Sequence, residues 1–167
     1  MNKTIRVFGI DPGSAATGWG VIDCVGSRLS YVASGVIRPK RGAGHPQKLA
    51  EIFKKLSELI DQYAPGEAAV EETFVNASPR DALVLGQARG IALLAPAITA
   101  IPVAEYAANS VKKSVVGRGH ADKSQVQAMV KVLLPQCQAP KSDEADALAV
   151  AICHAHHMDF RQLEAAS

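Results

Sequence analysis

Four carboxylates lie at the ends of apolar segments, where a packed scaffold would hold them in fixed positions. They are Asp11, Glu71, Asp143 and Asp146. The first two follow runs of apolar residues, and the last two begin an apolar stretch that continues to Ile152. A carboxylate beside a hydrophobic core is costly unless it has a partner. A shared site for divalent cations is the simplest explanation for all four.

The ion that suits such a site is Mg²⁺, which prefers oxygen ligands and usually combines a few carboxylates with waters and substrate phosphate oxygens. Two such ions, ~3.5–4 Å apart, can activate a water and stabilise the leaving oxygen in phosphodiester cleavage. Four carboxylates offset the charge of two dications. The four acids therefore predict metal-dependent hydrolysis of a phosphodiester.

Each carboxylate also has a simpler interpretation. Asp143 and Asp146 could be acids of a first helical turn that complement the helix dipole, and Asp11 could form a turn with the following Pro and Gly. Glu71 could be an exposed charge at a strand end. Its neighbour Glu72 must point to the opposite face of a strand, so periodicity alone does not choose between the two. Only the joint occurrence of the four acids favours a site.

The elements that would position these acids form an α/β pattern. Predicted strands cover residues 5–11, 17–24, 29–37, 67–72 and 101–106, and the first three are expected to be sequential and antiparallel. Predicted helices cover residues 46–63 and 79–95, a short segment within 107–119, and residues 122–134 and 142–157. Strand ends of an open α/β sheet form a crevice where ligands bind. All four acids can meet there if the last helix crosses the sheet.

Composition is consistent with one globular domain. The chain has 167 residues, of which 48% are hydrophobic and 20% are charged, and its net charge is +2. These values exclude a disordered chain, and no apolar run reaches the roughly 18 residues that span a bilayer. The three cysteines form no C-x-x-C pair, so we expect free thiols and a cytoplasmic location. Residues 1–4 lead straight into a predicted strand, so we expect no signal peptide.

Seven motifs occur in order over nearly the whole chain. They are GIDPGS (residues 9–14), TGWGVI (17–22), VEETF (70–74), LGQARG (85–90), VKKSVVG (111–117), KSQVQ (123–127) and DEADALA (143–149). With these motifs the chain resembles the RuvC-type crossover junction endodeoxyribonucleases, the bacterial Holliday-junction resolvases.

The resemblance implies a ribonuclease-H-like fold, with a five-stranded mixed sheet flanked by helices, over residues 1–158. Residues 159–167 would form a short tail. It also implies a homodimer that nicks two opposing strands of a four-way DNA junction in recombination and repair. The expected cofactor is Mg²⁺, two ions per subunit, with Mn²⁺ as a substitute. A branch-migration helicase complex is an expected partner, and a membrane is not.

The resemblance also assigns roles to residues. It selects Glu71 over Glu72, and it implies that the four acids are catalytic and bind metal. Lys123 would stabilise phosphate charge in the transition state. The residues expected to contact DNA are Phe74, Lys112, Lys113, Arg118 and Lys123.

Several of these residues have alternative interpretations. The basic residues around Lys112, which include His120, and a second cluster of Arg38, Lys40 and Arg41 could be solvated faces, although such residues also give salt-dependent affinity for phosphates. Phe74 could belong to the core, or it could stack on a base at an open junction.

The small residues of the helix near Gly86 and Gly90 suit either a dimer interface, which the resemblance implies, or close packing on the sheet. Histidines 154, 156 and 157 are expected to complement a helix dipole rather than bind zinc. Two other functional classes remain open. One is a nucleotide-binding protein of the actin and sugar-kinase type, which requires two large lobes, and the other is a non-catalytic junction-binding protein.

Overall fold

The structure, a computed structural model, describes residues 3–74, 78–138 and 140–165. The strands in this part of the chain are β1 (Ile5–Asp11), β2 (Thr17–Val25), β3 (Arg28–Ile37), β4 (Glu67–Glu72) and β5 (Val103–Ala107). The helices are α1 (His45–Tyr63), α2 (Pro79–Ile98), α3 (Ala108–Val116), α4 (Lys123–Leu133) and α5 (Ser142–Ala165).

The five strands form one mixed sheet in the order β3-β2-β1-β4-β5. Strands β1, β2 and β3 are antiparallel neighbours, whereas β4 is parallel to both β1 and β5. The predicted α/β architecture and the antiparallel arrangement of the first three strands are therefore confirmed. Because β1 and β4 are parallel and adjacent, their carboxyl ends meet at the same edge of the sheet.

Side chains alternate along the strands, and the sheet therefore has two buried faces. Val7 of β1 packs in a core formed with α3, α4 and α5. Phe8 and Ile10 point the other way, into a second core formed with α1 and α2. Every residue of β1 thus has a defined face, and Asp11 falls on the same face as Val7 and Gly9.

Helix α5 lies unusually close to the sheet because glycines occupy the positions that it crosses. A Cβ at Gly9 would lie 2.2 Å from the carbonyl oxygen of Ala147, and one at Gly18 would lie 2.0 Å from that of Asp143. Real Cβ atoms essentially never approach backbone this closely. The two glycines therefore allow the beginning of α5 to lie directly on β1 and β2.

Three element boundaries differ from the predictions by two residues or more. Helix α2 continues through Pro96 to Ile98, because a proline in the last turn removes only one intrahelical hydrogen bond there. Strand β5 begins at Val103 rather than residue 101, after Pro102, whose carbonyl oxygen accepts a hydrogen bond from the N–H of Ala68. Helix α5 extends to Ala165, past the end predicted near residue 157. The division into residues 1–158 and a tail of residues 159–167 stays a prediction.

Candidate metal-dependent active site

The first two carboxylates are neighbours at the carboxyl ends of parallel strands. In the register of β1 and β4, Ile10 pairs with Val70, so the next residues are Asp11 and Glu71. Alternation points Glu71 to the face that α5 covers. Glu72 points to the opposite face, where its Oε1 lies 3.5 Å from an Nη2 atom of Arg89. The choice between the two glutamates, which periodicity leaves open, is thus decided by the sheet.

The other two carboxylates reach the same edge through α5. Gly18 pairs with Asp11 across β1 and β2, and the backbone of Asp143 rests on Gly18. Asp146 follows one turn later on the same helix face. Helix α5 therefore crosses the sheet, which is the condition under which the four acids can converge.

A crevice of about 250 Å³ joins these elements. It is lined by Asp11, Glu71, Thr73, Ala108, Val111, Lys112, Lys123, Val126, Asp146 and Ala149. Three of the four predicted acids and two of the predicted lysines are in this set. Thr73, which sequence reasoning missed, is the residue directly after β4.

Burial and mutual repulsion disfavour the ionised acids in this crevice. Burial is the main cause that raises the pKa of Asp11, and a hydrogen bond to Glu71 and the charges of the other acids raise it further. Burial also raises the pKa of Glu71 and of Asp146, against the opposing effect of Lys123. The crevice therefore concentrates negative charge that its two lysines do not balance.

Asp143 lies at the rim of this crevice, where Arg38 holds it. An Nη2 atom of Arg38 lies 3.2 Å from Oδ2 of Asp143. Sequence reasoning placed Arg38 in a separate basic cluster and missed this contact. Ile37 pairs with Thr17, so Arg38 leaves β3 near the end of β1. This register comes from the tertiary structure, and the sequence carried no signal for the contact.

The donor set fits a hard divalent cation, because all four acids offer only carboxylate oxygens. Among the described residues, no group of three His, Cys, Asp or Glu side chains is already arranged as a metal-ligand set. Asp143 faces Arg38, and Asp146 Oδ2 lies 3.6 Å from the ammonium of Lys123. Each of these two acids therefore contacts a basic side chain through Oδ2 and has a second carboxylate oxygen for an ion.

The predicted basic residues divide between different surfaces. Lys123 is the first residue of α4, where a capping box between Asp122 and Gln125 fixes the helix start. Lys112 of α3 lines the crevice beside it, but its neighbour Lys113 lines a separate groove. Arg118 and His120 are exposed in the segment between α3 and α4 and do not line the crevice.

Phe74 is 75% exposed and follows Thr73 at the crevice. The interpretation as a core residue is therefore wrong, because β4 ends before Phe74 and no apolar layer of the described residues covers its ring. The sequence suggested an exposed loop at residues 76–78, of which 76 and 77 lie outside the described residues. An exposed aromatic ring beside an acidic crevice is available to contact a ligand.

The histidines of α5 have structural partners that the helix-dipole interpretation did not predict. His154 is 1% exposed; its Nδ1 lies 2.9 Å from the Tyr106 hydroxyl and its Nε2 lies 3.3 Å from Glu67. His156 contacts the Ser114 hydroxyl, and Nδ1 of His157 donates to a backbone carbonyl one turn earlier. His154 is thus a hydrogen-bonded core residue.

Comparison with known proteins identifies this arrangement. The family described as "Crossover junction endodeoxyribonuclease RuvC" matches residues 7–154. The chain belongs to the RuvC family. A family member of that name from Paramagnetospirillum magneticum is 55% identical over 158 residues, which cover 95% of each chain. Another from Xanthobacter autotrophicus is 56% identical over 155 residues, which cover 93% of this chain and 92% of the relative.

Solved structures agree with this assignment. Thermus thermophilus RuvC in complex with a Holliday junction substrate matches with a TM-score of 0.87 and 31% identity, covering 94% of this chain and 96% of that one. The yeast mitochondrial Holliday junction resolvase Ydc2 matches with a TM-score of 0.65 and 14% identity, covering 95% of this chain and 82% of that one. At this identity the match supports the fold alone. Membership in the RuvC family confirms the ribonuclease-H-like fold and the predicted function, resolution of Holliday junctions in recombination and repair.

Proposed function

We propose that this RuvC-family protein cleaves four-way DNA junctions with Mg²⁺ held by Asp11, Glu71, Asp143 and Asp146. The observation that carries the proposal is the crevice at the carboxyl ends of β1 and β4. Carboxylates from three separate elements meet there, and burial raises the pKa of those that line it most closely. A cation offsets that charge, and a phosphodiester supplies further oxygen ligands.

Each acid has a distinct position in the proposed reaction. Asp11 and Glu71 stand on rigid strands and define the floor of the crevice, whereas Asp143 and Asp146 approach from α5. Two ions, when bound, would activate the attacking water and stabilise the departing 3′ oxygen. The rigid strands keep the floor ligands in place during the reaction, and the helix acids complete the set from α5.

The two lysines of the crevice are suited to the scissile phosphate. Lys112 and Lys123 line the crevice from α3 and α4. The side chain of Lys123 is 75% exposed, so it can move from Asp146 to a phosphate without being extracted from the core. Positive charge at this position stabilises the negative charge that develops on the phosphate during cleavage.

A synthetic four-way junction tests the proposal directly. After treatment with a chelator the protein should bind the junction without cutting it, and Mg²⁺ or Mn²⁺ should restore paired nicks near the crossover. A duplex of the same sequence serves as the control and should stay intact. Tight binding without nicks at any metal concentration would favour a non-catalytic junction protein. ATP turnover without nicks would favour the nucleotide-binding class.

We expect Phe74→Ala to open the junction less and to reduce cleavage about tenfold, because stacking of one base on an aromatic ring contributes about 1–3 kcal/mol. The ring is exposed at the end of β4, so its loss should leave the melting temperature unchanged. A 2-aminopurine base at the crossover reports unstacking, and Val132→Ala, another exposed apolar position, is the matched control. Wild-type fluorescence and cleavage in the Phe74 variant would remove the stacking role.

A homodimer is proposed through α2. Leu83, Leu94 and Ile98 on this helix are 69%, 47% and 63% exposed, and a Cβ at Gly86 or Gly90 would meet no atom within 4 Å. Within the described residues, α2 alone is also long and apolar enough to cross a membrane by length and composition. A second copy of the same helix is the better partner, since two-fold symmetry suits a junction that is cut on two opposing strands.

We also propose a cytoplasmic location and a branch-migration partner. The three cysteines are buried and form no disulfide, which supports a reducing compartment such as the cytoplasm. A branch-migration helicase complex is proposed as a partner because a resolvase acts on junctions that such complexes move.

A further inference from the structure

A second polar groove lies on the far side of α3 from the catalytic crevice. It is lined by Ser110, Lys113, Ser114, His156 and His157 and has a volume of about 520 Å³. Val111 and Val115 of α3 point into the core between the two cavities. Lys112 and Lys113 are consecutive residues, so the helix directs one lysine to the crevice and the next to the groove.

The lining chemistry of the groove suits an anion. None of its five described side chains is acidic, and those of Ser110, Lys113, Ser114 and His156 can donate hydrogen bonds to a ligand. Within the described part of the chain, Lys113 forms no ion pair and is exposed. A phosphodiester has oxygens that accept hydrogen bonds from these donors and a negative charge that pairs with the lysine.

Internal hydrogen bonds hold part of this set in place. The hydroxyl of Ser114 lies 3.0 Å from Nδ1 of His156. Whichever of the two donates, the pair keeps a further N–H or O–H group that can point into the groove. Nδ1 of His157 donates to the backbone carbonyl of Cys153 at 2.8 Å, which fixes the orientation of that ring. The groove is therefore partly preorganised.

The spacing between the two cavities corresponds to a short length of DNA. Asp146 lines the crevice and His156 lines the groove, ten residues further along the same helix. At 1.5 Å per residue this is about 15 Å, which is about four nucleotides of a strand at 3.4 Å rise each. We propose that the groove binds a backbone phosphate of a junction arm, about four nucleotides from the scissile phosphate. This inference rests on the proposed junction binding.

The experiment measures the affinity of a synthetic junction for Lys113→Gln, for Lys113→Gln/Ser114→Ala, and for Lys131→Gln as the control. Lys131 is an exposed lysine of α4 that does not line the groove. Log affinity falls as log salt concentration rises, and loss of one phosphate contact should make this slope shallower by about 0.9. Binding should weaken up to about tenfold at ~0.1 M salt. The control should keep the wild-type slope.

Neutral methylphosphonate linkages locate the contact. Placed three to five nucleotides from the cut, they should weaken binding by the wild type and leave binding by the Lys113 variants unchanged. Equal weakening in both proteins, or a wild-type slope in the variants, would overturn the inference. A further contrary result is that inorganic phosphate shifts the NMR signal of His156 while the methylphosphonate linkages have no effect on binding. That combination would also overturn the inference, because the groove would then bind a free anion and not the DNA backbone. Failure of the wild type to bind or cut the junction would instead contradict the proposed function.

Discussion

Replacement of Asp11 with Asn should abolish junction cleavage while junction binding is retained. Asn keeps the shape and a hydrogen bond to Glu71, but it loses the anionic oxygen that holds a cation at the end of β1. Loss of one preorganised electrostatic group typically costs about 10²–10³ in rate, and a missing metal ligand should cost at least that. Cleavage of a labelled junction in Mg²⁺ measures the rate, and anisotropy without metal measures binding.

Asp11→Asn should abolish cleavage, but it should increase the stability of the metal-free protein. Burial raises the pKa of Asp11 in the folded state, so wild-type stability without metal falls as the pH rises above the ordinary carboxyl pKa. Asn removes this loss, and the metal-free variant should melt at a higher temperature near neutral pH but not in acid. Mg²⁺ should then stabilise the wild type more than the variant. The control is Asp61→Asn at an exposed position of α1, which should change neither cleavage nor melting temperature. Near wild-type cleavage by Asp11→Asn would refute the assignment of Asp11 as a metal ligand.

Replacement of Gly18 with Ala should disrupt the site without altering any acid. The new Cβ would lie 2.0 Å from the carbonyl oxygen of Asp143 and 2.7 Å from its carbonyl carbon. These are backbone atoms, so the beginning of α5 must move. Such overpacking costs about 1–3 kcal/mol, which lowers Tm by about 2–4 °C per kcal/mol in a chain of this size. Displacement of a catalytic group by 1 Å costs about a hundredfold in rate.

Gly66→Ala is the control for this substitution, because its Cβ would meet only the carbonyl oxygen of Arg6 at 3.9 Å. It should cleave like the wild type. Calorimetry and the cleavage assay together separate the two effects in Gly18→Ala. Wild-type Tm and wild-type cleavage in that variant would show that α5 does not need this close approach to the sheet.

Much of the fold was predictable from local patterns. Strands β1 and β4 have the predicted bounds. Each is an apolar run beside a Pro-Gly pair, after β1 and before β4, and such a pair marks where the strand must end or begin. The helices begin near their predicted positions for a similar reason. The ends of α2 and α5 were less predictable, since a helix can continue wherever packing compensates for weak local signals.

The family was also predictable, because seven ordered motifs are a far more specific signal than any single residue. The same motifs selected Glu71, and the alternation of β4 explains why: Glu71 shares a face with Ala69 beneath α5, whereas Glu72 reaches Arg89 on the other face. Sequence periodicity gives the alternation of faces but not which face α5 covers.

By itself, the sequence determined the elements, the acid types and the family, since each of these is encoded by residues near one another in the chain. Only the tertiary structure decided that α5 crosses β1 and β2 over glycines, that Arg38 holds Asp143, and that Lys112 and Lys113 face different cavities. These features depend on contacts between residues far apart in the chain. Such contacts are determined by how closely the elements pack, and local patterns do not carry that information.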